Sequence, residues 1–173
     1  MDIGSVQTSK EVMVSEGDFI VSKTDPKGRI TYANRLFMQI SGYRENELLG
    51  RPHNIVRHPD MPRGVYHLLW QTIMRGHECF AYVKNLCKNG DYYWVLANIT
   101  PDYNSRDEII GYFSARRRPS REAVEYFTDL YREMLAQEKS AGPREAIAAS
   151  TQVMEKAIQD QGFDSYETFI LGR

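Results

Sequence analysis

The sequence predicts an α+β fold: a five-stranded antiparallel sheet with short helices on one face, followed by a C-terminal helical extension. Three observations predict it. Asn89-Gly90 sits between two runs of strand-forming residues, 79–87 and 92–99, which is the strongest short-range hairpin signal. A third strand-like run at 109–117 follows a loop. Two further strand-like runs lie upstream, separated from these three by several short helical patterns.

Taken in order, residues 1–17 are a polar lead-in with one apolar patch, Val12-Met13-Val14. Phe19-Ile20-Val21 reads as a strand that ends at Asp25-Pro26-Lys27-Gly28, where proline and glycine spell a turn. Arg29-Ile30-Thr31-Tyr32-Ala33 is its hairpin partner. Asn34 suits an N-cap, Phe37, Met38 and Ile40 make one helical face, and Gly42 ends that helix. A helical turn at 45–49 closes at Gly50. Pro52-His53-Asn54-Ile55-Val56-Arg57-His58-Pro59-Asp60-Met61-Pro62 holds three prolines and many hydrogen-bonding side chains, and so reads as a rigid, irregular loop. Pro62 suits the first turn of a helix reaching about residue 75, with Gly76 as its stop and Val65, Leu68, Leu69, Thr72 and Ile73 as its core face. Asn89 and Gly90 predict a two-residue type I′ turn with φ > 0 at both. Beyond Pro119-Ser120, Val124, Phe127, Leu130, Tyr131, Met134 and Leu135 form a helical stripe that Gly142-Pro143 breaks. A further helix spans 144–161, and Phe163, Tyr166, Phe169 and Ile170 are apolar enough to dock. The expected organisation is a lead-in at 1–17, one domain at 18–118 and the extension at 119–173.

Composition excludes several function classes. With 22 Lys+Arg against 23 Asp+Glu and a net charge of -1, the 173-residue chain has no basic tract to favour nucleic acid. The longest basic run, Arg116-Arg117-Arg118, reads as a strand end. Cys79 and Cys87 share one strand and cannot pair with each other. They have no zinc-site spacing, and both read as structural thiols. No h-region and no long apolar span is present, so the expectation is a cytoplasmic, soluble chain without a membrane span. No nucleophile elbow, phosphate-cradling loop, HExxH or kinase motif appears, and the chain is read as a non-enzyme.

Several motifs are more specific. Tyr32-Ala33-Asn34 with Phe37, Ser41-Gly42-Tyr43 and Glu47-Leu48-Leu49-Gly50 resemble the PAS fold. The run from Gly50 through Pro62, with Val83-Lys84-Asn85 and Lys88-Asn89-Gly90-Asp91-Tyr92-Tyr93-Trp94-Val95, resembles the PAS domain of Aer-type aerotaxis and energy-taxis transducers. That resemblance covers about residues 18–118 and implies a redox sensor with non-covalently bound FAD. It assigns FAD contacts to Arg57, His58 and Asp60, polar contacts near the flavin to Asn34 and Asn85, and a place beside the pocket to Trp70. It implies a chemotaxis-type signalling partner, a chemoreceptor or a histidine kinase. Family members often carry Trp-x-Gly before Val-Lys-Asn; here Cys79-Phe80-Ala81 occupies that stretch, which makes Phe80 the candidate replacement.

The residues themselves support part of this. Alternation puts Cys79, Ala81, Val83, Asn85 and Cys87 on one strand face, a small-residue wall with a single amide. Asn85 is equally readable as a residue that bonds backbone at a strand end. Arg57, His58 and Asp60 can grip a diphosphate and a ribose, or form a self-capped loop in which Asp60 caps the helix from Pro62. Haem is an alternative cofactor through the helical His67, with Trp70 and Met74 on its face. A third alternative is a cofactor-free interaction module that forms a homodimer through the amphipathic extension. In the flavin reading, Asn85 or Asn34 re-pairs its amide with the reduced ring and the sheet carries the change to the C-terminal helices.

Overall fold

The computed structural model describes residues 7–173; the portion of the lead-in at 1–6 lies outside the described residues. The first hairpin pairs β1 (Ile20–Thr24) with β2 (Ile30–Ala33). Its turn is held by Asp25, whose Oδ1 accepts the backbone N–H groups of Lys27 and Arg29, each at 2.9 Å. Gly28 is required there twice over. Its φ is +80°, and a Cβ would lie 3.0 Å from the Trp70 ring. Three short elements follow: α1 (Arg35–Ser41), α2 (Glu45–Leu48) and a 3-10 turn, His53–Val56. Asn34 caps α1 as expected and Gly42 closes it at φ 77°. Helix α3 (Arg63–Met74) begins one residue after Pro62 and buries Gly64, Val65, Leu69 and Ile73.

The remaining strands are β3 (Cys79–Leu86), β4 (Tyr92–Tyr103) and β5 (Ile109–Arg117). All neighbours are antiparallel, in the spatial order β2-β1-β5-β4-β3. The class and strand count expected from the sequence are those observed. One correction concerns the central hairpin. Asp107 is the one described non-glycine residue with positive φ, so Asn89 is not left-handed. The Gly90 N–H instead donates to Cys87 O at 3.0 Å and the Cys87 N–H to Asp91 O at 2.7 Å, with Gly90 at φ 93°. That is a type I turn followed by a glycine bulge, not the two-residue type I′ loop. The Asn89 side chain accounts for the difference: its Oδ1 accepts the Asp91 N–H and its Nδ2 donates to Asp91 Oδ2, both at 3.0 Å.

Where β1 meets β5, backbone passes close to backbone. A Cβ on Gly111 would lie 2.2 Å from the Thr24 carbonyl oxygen, and no side-chain rotation relieves that contact. Gly111→Ala is expected to cost about 1–3 kcal/mol in denaturant unfolding, the range for overpacking. A variant as stable as the parent would show that the two strands separate freely here.

The extension, α4 (Arg121–Ala141), α5 (Ala146–Asp160) and α6 (Tyr166–Leu171), wraps the β3 side of the sheet. On the outer face, Tyr82 stacks on Phe127 at 4.4 Å and Trp94 on Tyr131 at 6.1 Å. The Tyr131 hydroxyl donates to Tyr82 O at 2.7 Å, and α6 packs Phe169 and Ile170 against the same layer. Helix α5 then returns to α3 on the inner side. Gly64 is the contact point: its N–H donates to Glu138 Oε1 at 3.1 Å, and a Cβ there would lie 2.1 Å from Ser150 Oγ. The lead-in docks too, with the Val12 N–H on Tyr92 O at 2.7 Å and Val14 buried. No helix among the described residues is long and apolar enough to cross a membrane.

Candidate functional site

Strand alternation and the packing of α3 together leave a cavity of about 480 Å³ between that helix and the inner sheet face. Ala81 lies opposite Ala97 in the β3–β4 register, and two such small side chains leave room where larger ones would fill it. Leu69, Trp70, Ile73, Val83, Ile99 and Tyr112 supply apolar and aromatic walls, with Trp70 set edge-on to Tyr112 at 5.6 Å. The size and apolar character are those of a small-molecule site.

Polar groups converge on this space from two directions. Asn85 is buried and lines it, and Arg57 bridges to Asn85 through the backbone. The Arg57 guanidinium lies 4.4 Å from the Tyr66 ring centre and donates to Met61 O at 3.2 Å. From the other direction come His53 and Arg116. Arg116 Nη2 donates to Ser22 Oγ at 2.6 Å, and Arg116 Nη1 donates to His53 Nε2 at 3.1 Å. Phe37 lies beneath both, stacked on His53 at 5.8 Å and 4.6 Å from the guanidinium.

The electrostatics of this end follow from burial. Desolvation, reinforced by the Arg116 charge, lowers the His53 pKa to about 3, so its ring is neutral. Burial lowers the Arg116 pKa to about 10, which leaves it charged at neutral pH. No carboxylate pairs with Arg116 among the described residues. Its Nε lacks a hydrogen-bond partner.

The six residues singled out by sequence divide evenly. Arg57, Trp70 and Asn85 line the cavity. Asn34, His58 and Asp60 do not. Asn34 Oδ1 accepts the Phe37 N–H at 3.0 Å and its Nδ2 donates to Phe19 O at 2.9 Å, so its amide is spent on the α1 cap. The buried His58 accepts the Asp60 N–H on Nδ1 at 3.0 Å; burial and the nearby Lys84 charge lower its pKa. Asp60 pairs with Lys84 Nζ at 2.6 Å and makes no cap to α3. Phe80 lies on the outer strand face, so it does not stand in at the cavity for a missing tryptophan.

Other expectations place as follows. His67 lines the outer part of the cavity and is exposed, while Met74 of the same helix is 65 % exposed. Both cysteines are free and buried, and burial raises their thiols to about 12 for Cys79 and about 11 for Cys87, far from reactive thiolates. Ser22, Arg116 and Ile147 were not singled out as site residues. Ile147 belongs to α5, so the extension itself forms part of the cavity wall.

The chain is 40% identical over 129 residues to the aerotaxis receptor of Escherichia coli (strain K12), covering 75% of this chain and 25% of that protein. It is 30% identical over 105 residues to the nitrogen fixation regulatory protein of Klebsiella pneumoniae, covering 61% of this chain and 21% of that protein. The chain thus spans about a quarter or less of these relatives. Among solved structures, the dark state of the blue-light photoreceptor Aureochrome1 LOV superposes with a TM-score of 0.57 at 20% identity, over 65% of this chain and 82% of that one. At that identity the likeness concerns the fold. The family described as the PAS fold matches residues 11–118, and the chain belongs to it.

Proposed function

We propose that this chain is a sensor that holds FAD non-covalently in the cavity and reports redox or oxygen status to a signalling partner. The observation that carries the reading is the pairing of flat apolar and aromatic walls with a buried guanidinium at one end, Arg116, whose Nε–H has no partner among the described residues. An isoalloxazine ring needs both: a slot for its faces, and hydrogen-bonding groups for its polar edge. The aerotaxis receptor relationship supports the same reading. Leu69, Trp70, Ile73 and Val83 would hold the ring faces, and Asn85 would meet the polar edge. The half-buried Arg57 would take phosphate oxygens, for which its forked donors are suited. Asn34, His58 and Asp60 would act at one remove, by fixing α1 and the loop before α3. When bound, FAD supplies a ring whose charge and protonation change on reduction.

Transmission does not need the sheet alone. Ile147 touches the cavity and Gly64 sits against Glu138 and Ser150, so a shift of α3 reaches α4 and α5 directly. The partner would be a chemoreceptor or histidine kinase, the setting the cytoplasm, and a homodimer would have to form on surfaces the extension leaves uncovered. A cofactor-free module with its pocket filled by side chains fits less well with a 480 Å³ cavity.

The test is the visible spectrum of the gently purified protein. Bands near roughly 370 and 450 nm, lost on dithionite, are expected for flavin. Trp70→Ala and Asn85→Ala are each expected to lower FAD affinity at least tenfold while the fold persists by circular dichroism. A spectrum that stays flat with excess FAD would refute the reading, and a Soret-like band that His67→Ala abolishes would replace it with haem.

A further inference from the structure

Arg116 is only 2% exposed, yet its hydrogen-bond partners are neutral: a serine hydroxyl and the acceptor nitrogen of a neutral imidazole. Phe37 lies against the guanidinium, with its ring centre 4.6 Å away. A buried guanidinium normally carries a carboxylate that repays its desolvation. Here no described side chain repays it, and the Nε–H is unmatched. Both Arg116 and His53 line the cavity, so the missing negative charge has one accessible place from which to come.

We infer that this end of the cavity is an anion subsite, and that Arg116 makes the pocket prefer a ligand ring carrying negative charge over the same ring when neutral. The inference rests on the flavin reading and names its chemistry: a heteroaromatic whose N–C=O edge takes up delocalised charge on reduction. The balance is simple. A one-electron donor such as dithionite would add one negative charge to the ring with no bond broken, and Arg116 would lie beside that charge. His53 cannot supply that electrostatic role, because the same burial that leaves Arg116 unpaired keeps His53 neutral. Arg116 would therefore set how readily the ring is reduced rather than how tightly the neutral ring is held. Its role is a bias between the charge states of the ring.

The experiment is an equilibrium reductive titration of the FAD-loaded full chain with dithionite against a reference dye, for the parent, Arg116→Met and Arg116→Lys. Arg116→Met is expected to keep oxidised FAD within about threefold of the parent affinity and to lose at least tenfold of the charged-over-neutral preference. For a one-electron step that is a fall of about 59 mV. Arg116→Lys should restore most of it. A preference within twofold of the parent in Arg116→Met, or loss of flavin from both variants, would overturn the inference. Absence of flavin from the parent would instead fail the flavin reading. Thermal unfolding of the apoproteins tests the unpaired charge without any flavin: Arg116→Met should melt no lower than the parent, since an apolar replacement removes an uncompensated charge. A clearly lower melting temperature would show that the charge is already compensated.

Discussion

Phe127→Ala is expected to destabilise the protein by about 3–5 kcal/mol, the range for deleting a buried aromatic side chain. Phe127 is fully buried and sits where α4, α6 and β3 meet. It stacks on Tyr82 at 4.4 Å and meets Tyr131, Phe169 and Tyr126 at 5.5, 5.7 and 5.3 Å. The partners come from β3, α4 and α6, so no single rotamer change collapses the space left behind. Aromatic pairs of this kind add about 0.5–1.5 kcal/mol beyond area burial. Denaturant unfolding measures the loss, and a change under about 1 kcal/mol would mean that the extension contributes little to the stability of the sheet. Hydrogen exchange should localise the effect, with α6 losing protection before α3.

Acid is expected to weaken the fold through His53. In the folded protein its pKa is about 3, against 6.5 for an unburied histidine. The unfolded chain therefore binds a proton that the folded chain refuses. The stability held by neutral His53 is fully present above about pH 6.5 and is lost as pH falls from there toward 3. Within that window the loss approaches about 1.4 kcal/mol per pH unit from this one group. The parent should lose stability between pH 6 and 4 more steeply than His53→Gln, which carries no titrating ring. Parallel slopes would show that His53 takes up its proton without unfolding. Arg116 sharpens the effect, since a protonated His53 would place two cations 3.1 Å apart with no anion between them.

Most of the fold was legible in the sequence because its signals are local. Asp25-Pro26-Lys27-Gly28, Asn34 with Gly42 and Ser120 each mark a boundary through chemistry confined to a few residues, and each boundary is where it was expected. Asn89-Gly90 located the hairpin but misjudged its geometry. The decisive bonds run from Asn89 to Asp91, one residue outside the dipeptide that was weighed. Asn85 was identified as cavity-facing because alternation needs only the strand itself. The charged end of the cavity was out of reach for the opposite reason. Ser22, His53 and Arg116 are separated by 31 and 63 residues, and only the crossing of β1 against β5 and the 3-10 turn brings them together. Arg116 was also masked by its neighbours: within Arg116-Arg117-Arg118 the first is buried while the other two are exposed. Asn34, His58 and Asp60 were noticed for their polarity, and the structure employs that polarity on backbone and on Lys84.

The extension covers the outer face of β3 and β4 with groups from its own chain, and that fixes the terms on which any other molecule meets the sheet. A tethered segment competes at an effective concentration set by its linker, in the millimolar range for short connections. Only Arg118, Pro119 and Ser120 separate β5 from α4. A free protein recognising Tyr82, Trp94 and Leu96 would thus face an occupant about a thousandfold more concentrated than a micromolar partner. Such a partner gains access by binding the extension itself, or after an event at the cavity has weakened the hold of α3 on α5. Access to the sheet is then a matter of timing rather than of affinity alone.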